Sequence, residues 1–366
     1  MAARRVRRDR TQPERGRTPG RLLDDQALQG RVATFISALR WITGDFRAGL
    51  LMGQKAQAIA ASLDDRPMRV WSTFYVGLAH HLLGDYLEAE DAHLENIRSA
   101  GANEEYGIVM PASQFVVSAA WLVLPMAERG NCAAGLVHGR AAYERAESSG
   151  NPYELVTASY ALAFLYCLKG ELDPAIPLLE CALAMCRERE FKVWLPQITG
   201  YLGHAHARAG QVDDRLSLLE RAMEIFEATR AWPFRTLLTT HRGAACLVAG
   251  RQDAALAFGQ EALGQARAHG ERGHAAWALH LLGQITAATS EPAVAVTCFR
   301  DAMQLGNELG MAPLVAHCHL GLGRCYAKHR RSRESLDELF AARKMYREMG
   351  MPYWIGQTED SPGARG

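Results

Sequence analysis

GAACLVAGRQDAALAFGQEA, residues 243–262, places Gly243, Gly250, Ala255 and Ala262 at intervals of seven, five and seven, and each of these positions belongs to a column that recurs along the chain. Ala142, Ala182, Ala222, Ala262, Ala302 and Ala342 follow one another every 40 residues. Gly203, Gly243, Gly283 and Gly323 keep the same beat, as do Gly170, Gly210 and Gly250, and then Gly270, Gly310 and Gly350. Self-similarity at one fixed period is the mark of a stacked repeat, in which each unit buries its apolar face only against its neighbours.

Each unit reads as a helical hairpin. In residues 152–189, Pro152 sits where a first helical turn tolerates proline, and apolar residues run on to Leu168. Gly170 interrupts them, Asp173-Pro174 reads as an N-cap and first helical position, and a second helix continues to about Glu188. Small side chains in the columns let helix backbones approach, and the Gly270 column falls at second-helix ends, where a left-handed residue is needed. The period predicts eight helix pairs with inner turns near Gly44, Gly84, Gly130, Gly170, Gly210, Gly250, Ser290 and Arg330. The step of 46 from Gly84 to Gly130 implies an insertion around Ala100–Asn103, in a unit that also carries Pro125 inside its first helix. The fold class is therefore all-α: an α-solenoid with a period of about 40 residues, residues 28–356, between a disordered Arg-rich tail (1–27) and a disordered C-terminal tail (357–366).

Composition narrows the function. The net charge of +1 conceals eight arginines within residues 1–21, which leaves the rest at −5, with 33 Lys and Arg against 38 Asp and Glu. A mildly acidic body lacks the electrostatic footprint of a nucleic-acid binder; only the N-terminal head could touch nucleic acid or an anionic surface, or serve as a targeting segment. Eight cysteines without a CxxC pair, mostly within apolar helical stretches, fit a reducing compartment. The most apolar run, Phe115–Ala127, is too short to span a bilayer, so a cytoplasmic location and no membrane contact are expected.

The glycine and alanine spacing resembles the tetratricopeptide repeat, which implies a right-handed superhelix. The stretches HGERGHAAWALHLLG (269–283), GMAPLVAHCHLGLG (310–323) and MYREMGMPYW (345–354) are similar to the C-terminal region of bacterial class III nucleotide cyclases that carry an ATPase module, a likeness extending over roughly residues 28–356. The chain has no GxxxxGK[ST] and no cyclase domain, so the resemblance implies a regulatory region, not an active one.

No catalytic set, cofactor site or metal site is expected. His317 and His319 point to opposite faces of a helix, as do His204 and His206, whereas ligands on one face need a spacing of three or four. GLGRCY (321–326) begins like a nucleotide loop but lacks the last glycine and any preceding strand. In tetratricopeptide arrays the first helix of each pair lines the concave groove. Aligned on the turn column, the candidate groove residues are Trp71, Phe74, His81, Tyr160 and Phe164 in the first half. In the second half they are His204, Arg208, Trp277, His280, Gln284, His317, Arg324 and Lys328. The Lys and Asn with which the chaperone-binding subclass clamps a terminal carboxylate are not at the expected places. An aromatic first half and a basic second half suit an amphipathic peptide or protein segment with an acidic end. The expected function is a protein-interaction or regulatory scaffold; alternatives are a small-ligand sensor, or a truncated part of a nucleotide cyclase.

Overall fold

A computed structural model describes residues 25–99, 112–211, 216–289 and 292–361. The described residues form seventeen helices and no strand. They pair in chain order as α1 (Gln26–Thr43) with α2 (Phe46–Leu63), α3 (Arg66–Leu83) with α4 (Tyr86–Ser99), α5 (Gln114–Arg129) with α6 (Cys132–Ser149), and α7 (Pro152–Lys169) with α8 (Leu172–Glu188). Then follow α9 (Leu195–Arg208) with α10 (Leu216–Thr229), α11 (Arg235–Val248) with α12 (Gln252–His269), α13 (Arg272–Ala288) with α14 (Pro292–Leu309), and α15 (Ala312–Lys328) with α16 (Ser332–Glu348); α17 (Pro352–Glu359) opens a ninth unit. This is the all-helical solenoid that the 40-residue period predicts.

Most of residues 1–27, the insertion at 100–103, the turn at Ser290 and the end of the chain from 362 lie outside the described residues. Helix α1 begins at Gln26 and α17 ends at Glu359, so each runs a little way into a segment expected to be a tail. One detail differs: α8 starts at Leu172 with Glu171 as its N-cap, so Asp173 and Pro174 lie inside the first turn. Both residues suit that turn, proline because its missing N–H is an orphan there anyway and aspartate because it faces the positive end of the helix dipole.

The columns have a common geometry. The six alanines from Ala142 to Ala342 are each 0% exposed, packed where two helix backbones meet. Second helices bury one stripe; α12 buries Ala255, Gly259, Ala262 and Ala266, spaced i, i+4, i+7, i+11. First helices from α3 to α15 bury most of their residues, 13 of 18 in α7, whereas α1 at the end of the array buries 6 of 18. That asymmetry assigns first helices to an inner layer and second helices to an outer one.

The inner layer coils back onto itself. Repeats five apart touch: α3 meets α13, α5 meets α15, and α7 meets α17. Trp277 Nε1 donates to Glu128 at 3.0 Å, and Trp354 Nε1 to the Leu168 carbonyl at 2.9 Å. At the first turn the Trp232 amide donates to the Ile42 carbonyl at 2.8 Å, while His269 Nδ1 lies 2.8 Å from the Gly44 carbonyl. Gly84 shows why such turns need glycine. It caps α3 at φ 89°, and a Cβ there would come within 3.3 Å of the Gly273 amide of the apposed unit. Five repeats thus complete one circuit, and the sixth to ninth close against the first to fourth.

Candidate binding cavity

Closure fills the centre of the first circuit with rings. Trp41 meets Trp121 edge-on at 5.8 Å; Trp121 lies 5.8 Å from both Trp194 and Phe234; Tyr160 adds contacts to Trp194, Tyr201 and Phe234. Trp71 and Phe74, 1% and 0% exposed, sit edge to face within this core. Such ring pairs add about 0.5–1.5 kcal/mol each beyond the area they bury.

Beyond this plug the inner wall stays open as a cavity of about 490 Å³. Four columns spaced 40 residues apart build it. The first helices α9, α11, α13 and α15 contribute, in parallel, Tyr201, His241, Leu281 and Gly321; then His204, Ala244, Gln284 and Arg324; then Arg208, Val248, Ala288 and Lys328. Leu237, Trp277 and His317 supply the fourth column one turn earlier, and the intervals of four, three and four keep all of them on one helical face. Phe164 and Leu168 of α7 extend the columns backward by one repeat. Glu128 of α5 carries the Leu168 column back by one further repeat, and Trp354 of α17 enters from the ninth repeat.

Of the candidate groove residues, Phe164, His204, Arg208, Trp277, His280, Gln284, His317, Arg324 and Lys328 come together in this lining. Trp71, Phe74, His81 and Tyr160 do not reach it. His81 packs against Tyr86 and Phe234, and Tyr160 belongs to the aromatic plug, because the returning repeats cover the inner wall of the first half. Thr240, His241 and Val248 were missed, although extending the same columns to α11 finds the last two. Glu128 continues the column of Leu168, Arg208 and Lys328 one repeat further back and could have been found the same way, whereas Trp354, from the repeat after α15, lies off these columns.

The electrostatics are one-sided. Burial holds the imidazoles neutral: His204 and His317 lie well below the usual histidine range, His241 is lowered to about 3 and His280 to about 4. His204 and His241 stack face to face at 3.7 Å, and His317 Nδ1 lies 2.7 Å from the Tyr346 hydroxyl. Glu128, the one acidic residue of the lining, is pushed up to about 7 by burial, against the opposing pull of the Trp277 hydrogen bond. Arg208 donates to the Cys167 carbonyl at 2.5 Å and lies over the Trp354 ring at 5.1 Å. Arg324 donates to the Ser361 hydroxyl and to both the carbonyl and side-chain oxygens of Gln357, and Lys328 to the Ala287 carbonyl. All these acceptors are neutral.

His317 and His319 turn to different partners, Tyr346 and Glu338, and no three His, Cys, Asp or Glu among the described residues are grouped to hold a metal ion. None of the described helices is long and apolar enough to cross a membrane.

No protein-family model matches the chain, and no curated protein does. Solved structures do. The Rap conjugation gene regulator of plasmid pLS20, in complex with the Phr* peptide, aligns at TM-score 0.60 with 13% identity, covering 83% of this chain and 86% of that one. A Rap protein complexed with competence and sporulation factor aligns at 0.59 with 12% identity over 90% and 97%. NprR with its cognate peptide NprX aligns at 0.55 with 13% identity over 81% and 86%. At these identities the likeness is one of fold, a tetratricopeptide-like helical repeat.

Proposed function

We propose that the chain is a non-catalytic regulatory scaffold that takes a short ligand, a peptide end or a small molecule, into the cavity walled by α7, α9, α11, α13 and α15. The observation that carries this is the cavity itself: about 490 Å³, within the roughly 300–1,000 Å³ range of ligand pockets, apolar walls, and a few polar groups converging from successive repeats. Three solved structures with this fold hold a peptide or the competence and sporulation factor, which supports a comparable use here. Closure of the inner wall favours a short ligand over an extended segment lying along an open groove. Within this proposal, the similarity to the C-terminal region of cyclase–ATPase proteins gives the scaffold its setting, as a sensor region whose ligand state is passed to a partner.

A blocking substitution tests the site. Gln284 is exposed at the cavity lining, so Gln284→Trp fills the space without disturbing the core. A peptide and metabolite library screened by thermal shift is expected to yield a stabilising compound, with about 2.7 kcal/mol gained at 100 times its dissociation constant. The Gln284→Trp protein, unchanged in unliganded melting temperature, is expected to lose that gain. A stabilising compound that acts equally on both proteins binds elsewhere and removes the proposal.

A further inference from the structure

We propose that the cavity selects a carboxylate: its ligand has an apolar body and an anionic end taken by Arg208 and Arg324. The inference rests on the cavity being a binding site, as proposed above, and adds the chemistry of what it binds.

Three positive groups enter the lining: Arg208 of α9 and Lys328 of α15 at matching positions, and Arg324 one turn before Lys328. None of them forms an ion pair with a carboxylate among the described residues; their hydrogen bonds go to backbone carbonyls, an amide and a hydroxyl. The surface of this protein forms ion pairs readily elsewhere, for example Arg272 with Glu308 at 2.8 Å and Arg331 with Glu334 at 2.8 Å. Arg208 and Arg324 are thus partly buried guanidinium groups with no carboxylate beside them among the described residues.

Glu128, the one acidic residue of the lining, is already engaged by Trp277 and belongs to α5 across the closure. Both arginines are also held in place, Arg208 by the Trp354 ring and the Cys167 carbonyl, Arg324 by Gln357 and Ser361. A fixed planar guanidinium matches the two oxygens of a carboxylate. Leu237, Val248, Leu281, Leu320 and the Trp277 ring give the rest of the ligand an apolar wall. A free small carboxylate and the C-terminal carboxylate of a short peptide present the same chemistry.

Two matched pairs separate these sources. Calorimetry on the full chain at pH 7.5 would compare 1-naphthylacetate with 1-naphthylacetamide, and N-acetyl-Leu-Phe with its C-terminal amide. In at least one pair the acid is expected to bind about tenfold more tightly or better than the amide, as loss of a charge-assisted hydrogen bond implies. The pair that shows it identifies the source. Arg324→Gln should weaken the acid about tenfold and leave the amide unchanged, and the acid's affinity in the unmutated protein should fall as salt rises. Should Arg324→Gln fail to fold, Arg208→Gln, expected to weaken the acid by a similar factor, and the salt dependence carry the test. Equal binding of acid and amide, lost in Gln284→Trp, overturns carboxylate selection and leaves the binding site standing. No binding of either member of both pairs overturns the carboxylate proposal outright, and a library screen that then finds no ligand sensitive to Gln284→Trp removes the site as well.

Discussion

Acidification from pH 7 to pH 5 is expected to lower this protein's stability by about 4 kcal/mol. Six imidazoles, those of His81, His93, His204, His241, His280 and His317, are buried and pushed by that burial below their ordinary range, His93 and His241 to about 3 and His280 to about 4. A histidine lowered in the folded state stays neutral while its unfolded counterpart takes up a proton near pH 6.5. Stability is therefore intact above that pH and declines as pH falls toward the folded values. Each such group contributes a slope of about 1.4 kcal/mol per pH unit, so the three with assigned values give about 4 kcal/mol per unit. Glu128 works in the opposite sense. Its carboxyl, raised to about 7, gains stability as pH falls from about 7 to 4.5 and offsets the slope of roughly one histidine. Against a total of about 5–15 kcal/mol, the net loss from these groups by pH 5 is about 4 kcal/mol, a large share of the margin. Urea midpoints measured by circular dichroism between pH 8 and pH 4.5 check this; a flat profile from 7 to 5 contradicts it. His93, 0% exposed with neither ring nitrogen hydrogen-bonded, is the cleanest single probe, and His93→Leu should reduce the slope by about 1.4 kcal/mol per unit.

Removing the Trp232 indole is expected to cost about 3 kcal/mol or more. Its Nε1 donates at 2.7 Å to Glu271, a carboxylate 0% exposed whose other partners are Thr236 at 3.1 Å and His274 at 2.5 Å. The ring stacks on His269 at 3.7 Å; the Trp232 amide holds the Ile42 carbonyl and the His269 Nδ1 lies at hydrogen-bond distance from the Gly44 carbonyl. Trp232→Ala strips a donor from a buried charge and loosens the seam where the sixth repeat meets the first. Trp232→Phe keeps a ring and loses only the N–H, for which about 2 kcal/mol is expected. Chemical denaturation separates the two. A Trp232→Phe protein within about 0.5 kcal/mol of the parent, the range of an inert surface change, would show that the seam does not depend on this bond.

The repeat and its helix pairs were legible because they rest on local spacing. Gly170, Gly210 and Gly250 mark left-handed turns, and the alanine column marks where backbones touch, so period and pairing follow from spacing, while the inner-layer assignment came with the tetratricopeptide resemblance. The cavity was legible where the same columns run, through His204, Gln284 and Arg324, and through Arg208 and Lys328. What spacing does not encode is the rotation from one repeat to the next, and that rotation decides that α5 meets α15 and α7 meets α17. Hence Trp71 and Tyr160, on first helices like the rest, are buried in the core, while Trp354, which lies off the columns, joins the cavity from the ninth repeat.

Fluorine NMR of protein labelled with 5-fluorotryptophan, titrated with the naphthylacetate and acetyl-dipeptide probes, tests the binding cavity most directly. Trp277 and Trp354 line it and Trp71 is sealed in the plug, so the signals of the first two should shift with ligand while that of Trp71 stays in place. Movement at Trp71 with Trp277 and Trp354 unmoved would put the ligand in the first half and contradict the account.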